Sequence, residues 1–311
     1  KLCHFWYKLY VWFRLGILMK NRLLFPIIFA FIFSACSDFS GNEDAVEASL
    51  KPSSTPPPSE EEEDTPTTRT YYDLDGITFG NNTFVAVGES GIVRTSSDNG
   101  SSWDNGTSGT TRQLYEIAYG TSTFVAVGQS GTHLYSSDNG STWSTGTWSE
   151  NDHVTGVAFG NNTFIGVSSA GEYVTKSTDN GSNWSKKAQG IAVYDVTYGN
   201  SKFVASGANG AIQHSSNDGE NWTNGNSRTT TQTLYGITFG NNRFLTVGSY
   251  GWLSYSSDNG SIFTALTVPT GASHLYSTAY GNNIFVSVGY NSVVVSDNDM
   301  SEDPILKANS Y

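Results

Sequence analysis

From residue 74 onward, apolar residues come in short bursts separated by turns rich in glycine and asparagine. The three-to-four-residue period of an amphipathic helix is absent. An aromatic–glycine pair returns at Phe79-Gly80, Tyr119-Gly120, Phe159-Gly160, Tyr198-Gly199, Phe239-Gly240 and Tyr280-Gly281, spaced by 40, 40, 39, 41 and 41 residues. Each pair leads through a turn such as NNTF or NSKF into an apolar run: Phe84 to Val87, Phe124 to Val127, Phe164 to Val167, Phe203 to Ala205, Phe244 to Val247, Phe285 to Val288. A glycine turn follows, then a third run that enters a segment reading SSDNGSSW. One repeat therefore predicts strand a (LYEIAYG), strand b (TFVAVG), strand c (GTHLYSSD) and a short outer strand d after the tryptophan.

Self-similarity at this period sets the architecture. Four antiparallel strands in about 40 residues make a propeller blade, whose two faces are buried only by neighbouring blades around an axis. Apolar residues on both sides of strand b fit a sheet covered on both faces. The expected fold is all-β: a six-bladed β-propeller over residues 71–311. The sixth repeat is degraded at Ser296-Asp297-Asn298-Asp299-Met300, so its outer strand must come from Ile305 to Tyr311 or from residues near Tyr71. An open arc, or one completed by a partner, is the alternative.

The c–d segments are SSDNGSSW, SSDNGSTW, STDNGSNW, SSNDGENW and SSDNGSIF. They resemble the Asp-box, or BNR repeat, found in sialidase-like propellers, whose pattern is S-x-D-x-G-x-x-W. The matching residues are Asp98, Gly100, Trp103, Asp138, Gly140, Trp143, Asp179, Gly181, Trp184, Asn217, Gly219, Trp222, Asp258, Gly260 and Phe263. An Asp or Asn at a turn start accepts backbone N–H bonds, Gly takes positive φ, and the large ring pins the turn. These residues read as structural, because every blade carries them whereas catalysis needs one asymmetric constellation. Calcium needs more oxygen ligands than Asp-Asn-Gly-Ser offers, and His133, His153, His214 and His274 lack metal-ligand spacing, so no metal or other cofactor is expected.

The sialidase resemblance implies three arginines, a Tyr–Glu nucleophile pair and an R-I-P motif. No R-I-P occurs. The only arginines of the repeats, Arg94, Arg112, Arg228 and Arg243, fall at repeat positions that do not converge. The expectation is a binding propeller rather than an enzyme. The alternative is an exo-acting glycoside hydrolase with a carboxylate pair at the channel mouth, although Glu89, Glu116, Glu172, Asp195 and Glu220 occupy differing repeat positions.

Strand connectivity puts the a–b turns and c–d segments on one rim and the b–c turns and d–a loops on the other. The second rim varies from blade to blade, as specificity requires. Its candidate binding residues are Glu89, Gln129, Trp148, His153, Asn209, Arg228, Tyr250 and Tyr290. Tyr115, Tyr194, Tyr235 and Tyr276 recur at one strand-a position and read as blade packing.

Upstream, Lys20 and Arg22 precede the apolar run Leu23 to Ala35, which is the length of a signal-peptide core. The run ends Phe33-Ser34-Ala35-Cys36, resembling a bacterial lipobox with Phe in place of the usual Leu. The resemblance implies a lipid on Cys36 and display at the cell envelope, at the outer membrane or cell surface. The alternative is an uncleaved signal anchor. Residues 1–36 are thus an address, and translation starting at Met19 would leave 1–18 as upstream sequence; a longer anchor is the other option. Residues 37–70, with Pro56 to Pro58 and Glu60 to Asp64, read as a disordered acidic tether.

Net charge is −12, and residues 71–311 hold 19 acids against 9 bases, which argues against nucleic acid. Neither cysteine, Cys3 or Cys36, lies in the repeats, so no disulfide framework holds them. The expected partners are a protein or glycan ligand and, through the lipid, a membrane.

Overall fold

The computed structural model describes residues 72–297, apart from 149, 172, 189, 191, 227–229 and 268–269, together with the backbone of 305–308. The address segment with Cys36, the tether and Arg228 lie outside the described residues. So does Glu172. Among the described residues, no helix is long and apolar enough to cross a membrane.

The described chain is a six-bladed β-propeller of four-stranded antiparallel sheets. Blade 1 comprises Leu74–Gly80, Thr83–Gly88, Val93–Ser96 and Asp104–Gly106. Blade 2 comprises Leu114–Gly120, Thr123–Gly128, His133–Ser136 and Ser144–Thr145. Blade 3 comprises Val154–Gly160, Thr163–Ser168, Tyr173–Ser177 and Ser185–Ala188. Blade 4 comprises Val193–Gly199, Lys202–Gly207, Ile212–Ser215 and Thr223–Asn224. Blade 5 comprises Leu234–Gly240, Arg243–Gly248, Leu253–Ser256 and Thr264–Ala265. Blade 6 comprises Leu275–Gly281, Ile284–Gly289, Ser292–Asp297 and Ile305–Ala308. In each the strands pair in the order a-b-c-d, so every blade is contiguous in the chain. Of the two sources open for the sixth outer strand, Ile305–Ala308 supplies it.

Local chemistry explains the hairpins. Each a–b turn has two residues at positive φ, such as Asn81 (45°) and Asn82 (57°), which gives a twist that matches two-residue hairpins. Strand b is the centre of each blade: all six residues of Thr83–Gly88, Thr123–Gly128 and Thr163–Ser168 are buried. Val85, Val87 and Val93 of blade 1 form one apolar cluster with Leu114, Ile117 and Phe124 of blade 2. Equivalent clusters join blades 2 and 3, 3 and 4, 4 and 5, and 5 and 6.

The aromatic–glycine pair is the tightest of these contacts. A Cβ added at Gly80 would lie 2.1 Å from Cγ of Tyr119, and one at Gly160 would lie 2.0 Å from Cγ of Tyr198. The glycine is there so that the next blade's ring can rest on bare backbone.

The c–d turns repeat one hydrogen-bond set. Asp98 Oδ1 accepts from Ser96 Oγ at 2.7 Å and from Ser102 N at 2.9 Å, and its Oδ2 accepts from Ser102 Oγ. Trp103 Nε1 donates to Gly100 O. Asp138, Asp179 and Asp258 do the same work, and Asn217 keeps the bonds from Ser215 and Asn221. The Ser102 side chain, then its backbone N–H, hold the Asp98 carboxyl at about 2. The turns also tie blades together: Asn81 Nδ2 donates to Asn139 Oδ1, and Asn161 Nδ2 to the Asp218 carboxylate.

Gly160→Ala should lower stability by about 1–3 kcal/mol, the cost of overpacking a filled contact. Thermal unfolding measures this; an unchanged midpoint would mean that the blades do not press on one another there.

Candidate functional site

Strand a carries a bulge in all six blades. Leu74 pairs with Gly88 and Gly76 with Val87, which leaves Asp75 as the extra residue. The same shift leaves Tyr115, Thr155, Tyr194, Tyr235 and Tyr276 as the extra residues of the other blades. The carboxylates that follow satisfy backbone groups beside the bulge: Ile117 N donates to Glu116 Oε1 and Val196 N to Asp195 Oδ1. Asp195 Oδ2 also accepts from Ile237 N of the next blade.

Bulge residues of neighbouring blades meet on the innermost strands. Ring centroids of Tyr194 and Tyr235 lie 6.1 Å apart, and those of Tyr235 and Tyr276 lie 5.3 Å apart. The d–a loop adds His274, stacked on Tyr276 at 6.2 Å and 5.1 Å from Tyr250. Tyr290 follows, its N–H bonded to His274 O. These residues make an aromatic arc over blades 4 to 6. Tyr250 is 70 % exposed and Tyr290 62 % exposed. Burial, then the neighbouring Tyr235 and Tyr290, raise the Tyr276 hydroxyl above the usual range for tyrosine.

Tyr250 sits at φ 56°, where the matching turns of blades 1, 2 and 4 carry Ser90, Ser130 and Asn209 at φ 52–55°. A bulky ring in the left-handed region is strained, and such strain concentrates at functional sites.

Blades 1 and 2 face the mouth differently. Asp75 Oδ2 accepts from Gln113 Nε2 at 2.8 Å, and Glu89 Oε2 reaches Asp73 N at 3.5 Å. Burial raises the Asp75 carboxyl, the Gln113 bond opposes, and the charges of Asp73 and Glu89 push it up further. Tyr115 Oη lies 3.1 Å from His153 Nδ1.

The rim residues expected from sequence therefore separate. Tyr250 and Tyr290 enter the arc, Glu89 joins the acidic sector, and Gln129 and Asn209 stand exposed on b–c turns. His153 is exposed beside Tyr115, and Trp148 is half-buried over blade 2. The bulge tyrosines Tyr194, Tyr235 and Tyr276, expected to be blade packing, meet one another across neighbouring blades, and Tyr115 meets His153. A single extra residue per strand re-aims the side chain, and strict alternation does not register it.

Behind Trp148 lies a buried aromatic knot. His133 contacts Trp148 at 5.5 Å and Trp184 at 4.3 Å. Its Nδ1 lies 3.0 Å from Gly131 O and its Nε2 3.1 Å from Thr175 Oγ1. Burial depresses this imidazole to about 4.

The sequence matches no family model and no curated protein. Solved structures do match. YCF48 bound to D1 peptide aligns with TM-score 0.59 and 18 % identity over 72 % of this chain and 76 % of that one. YCF48 from Cyanidioschyzon merolae aligns with TM-score 0.58 and 18 % identity, over 75 % and 84 %. The computationally designed Ika8 protein aligns with TM-score 0.58 and 11 % identity, over 74 % and 72 %. The likeness is one of fold. At these identities it carries no residue of the rim across.

The buried imidazole gives a pH signature. The unfolded chain takes up a proton at His133 near pH 6.5, whereas the folded one resists until about 4. Stability is therefore complete above pH 6.5 and falls as pH drops toward 4, by about 3 kcal/mol at most. Denaturant titrations at pH 7.5 and 4.5 should show this loss, and His133→Asn should shrink it; an equal loss in the variant would remove His133 as the cause.

Proposed function

We propose that this chain is a non-catalytic binding propeller, held at a bacterial cell envelope through a lipid on Cys36, that captures a protein segment on the arc of Tyr194, Tyr235, Tyr250, His274, Tyr276 and Tyr290. The observation that carries the reading is Tyr250, a large ring kept exposed at a strained backbone position beside stacked neighbours. Exposed, rigid tyrosines provide contact area at low entropic cost and are enriched at binding hot spots. The c–d turns, which resemble Asp-boxes, spend their side chains on their own backbone and leave recognition to the opposite rim. A likeness in fold to a propeller bound to a peptide agrees with this reading.

A second reading has one observation behind it. Asp75, whose carboxyl is raised by burial, stands near Asp73 and Glu89, so several carboxyl groups share this sector, and a glycoside hydrolase uses a pair of them. Release of nitrophenol from aryl glycosides, lost in Asp75→Asn, would favour it. We prefer binding because Asp75 is already engaged by Gln113 and the aromatic arc is broad.

Two measurements test the proposal. Affinity capture from envelope extract should recover a protein, and the Tyr250→Ala, Tyr290→Ala double variant should weaken its binding about tenfold or more. Retained binding would remove the arc from the function. Cys36→Ser should move the chain from the membrane to the soluble fraction; unchanged membrane association would refute the lipid anchor.

A further inference from the structure

Charge is shared unevenly among the parts that meet at the mouth. The innermost strands and the b–c turns carry Asp75, Glu89, Glu116 and Asp195, and no lysine or arginine. The d–a loops hold both signs, Arg112 and Arg228 against Glu150 and Asp152. Arg112 donates to Ser130 O, a bond that leaves its charge in place over blade 2. The described lysines lie elsewhere. Lys202 is at an a–b turn of the opposite rim, and Lys176, Lys186 and Lys187 lie on the outer strands of blade 3, paired with Glu220 and Glu150.

The carboxyls of blade 1 act on one another. Burial raises the Asp75 carboxyl, and after the opposing Gln113 bond the charges of Asp73 and Glu89 raise it again. Tyr115 of the next blade is raised by burial and then by the charge of Asp75. In blade 4, Asp195 follows Tyr194 of the arc, and its Oδ2 accepts from Ile237 N, two residues beyond Tyr235. A carboxylate thus joins the two blades whose tyrosine rings lie 6.1 Å apart.

Negative charge beside exposed tyrosine selects the occupant. The face of a tyrosine ring attracts a cation, and this chain makes that contact itself: Lys186 Nζ lies 4.0 Å from the centre of the Tyr173 ring. Tyr250 and Tyr290 leave their rings mostly exposed on the same rim as Glu89. An acidic segment would be repelled by Asp75 and Glu89, and an uncharged one would gain nothing from them.

Building on the arc as the binding surface, we propose that the protein segment it captures is basic. Its arginine or lysine side chains lie against the tyrosine rings and turn their charge toward the carboxyls of the mouth, Asp75 and Glu89 among them.

Titration calorimetry of the full chain in nonionic detergent tests this with three blocked octapeptides that alternate glycine with arginine, glutamine or glutamate. The arginine peptide should bind about tenfold or more tighter than the glutamine peptide, and the glutamate peptide should bind weakest. Asp75→Asn combined with Glu89→Gln keeps the side-chain shapes and removes the charges. It should weaken the arginine peptide about threefold or more and leave the glutamine peptide unchanged. Because Glu60 to Asp64 would attract a basic peptide by themselves, a chain with those residues converted to amides is the control, and it should bind as the parent does. The proposal is overturned if no peptide binds, if the glutamine or glutamate peptide binds as well as the arginine one, if the Asp75 and Glu89 changes leave arginine binding intact, or if neutralising residues 60–64 abolishes it. Capture of an envelope protein that depends on Tyr250 and Tyr290 but not on Asp75 and Glu89 would overturn the basic segment and leave the arc standing, whereas capture that ignores all four would remove both.

Discussion

The structure depends on glycine backbone receiving an aromatic ring from the next blade. Tyr119 lies on Gly80, Phe159 on Gly120, Tyr198 on Gly160, Phe239 on Gly199 and Tyr280 on Gly240, each so close that a methyl group could not be accommodated. No single blade can shield both of its faces, so this contact and the apolar cluster beside it do what a second layer does in a sandwich. Near-identity of strands a and b across the repeats follows directly. Each must offer one face to the blade before and another to the blade after.

That demand divides the molecule between its two rims. On one, the c–d turns consume their own polar groups: Asp98, Asp138 and Asp179 accept on both oxygens from hydroxyl, amide and backbone donors, and Asp258 accepts on Oδ1 from Ser256 and Ile262. On the other, the bulge in strand a releases one side chain per blade from packing. The same device yields Asp75 in blade 1, Thr155 in blade 3 and tyrosine in the other four. A symmetric scaffold thereby acquires an asymmetric mouth, acidic over blade 1 and aromatic over blades 4 to 6. The innermost residues can vary because the bulge takes them out of the regular pairing of strands a and b.

The fold was legible because its signals are local and repeated. Paired asparagines mark four of the six a–b hairpins, and apolar runs such as Phe-Val-Ala-Val on strand b mark a sheet buried on both faces. The exposed position of Tyr250 was also legible, since a tyrosine where other blades have Ser or Asn stands out. The tyrosine ring was not. In Leu-Tyr-Glu-Ile, regular alternation assigns Tyr115 to a blade face, and only the register shift between Leu114 and Glu116 takes it off.

Closure shows how far local contacts reach. No strand is exchanged between the ends of the chain, since each sheet is built from consecutive residues. Among the described residues, no buried apolar cluster joins blade 6 to blade 1. Blades 1 to 3 bury strand b completely, whereas Ile284, Val288 and Gly289 of blade 6 are half-exposed. Among the described residues, the cluster of Ile77, Phe84 and Ala86, with Leu74 and Trp103, draws on blade 1 alone, while five other clusters each span two blades. In an array stabilised by nearest neighbours, the member with the least buried interface has the lowest local stability. Blade 6 occupies that position, and it is also the blade whose c–d segment lost its glycine and tryptophan. Tyr276 and Tyr290 stand on this blade and His274 on the loop that enters it, so half of the aromatic arc is mounted where the scaffold yields most easily. Binding surfaces are drawn from such regions, because a contact that must adapt to a partner cannot be locked by its own fold.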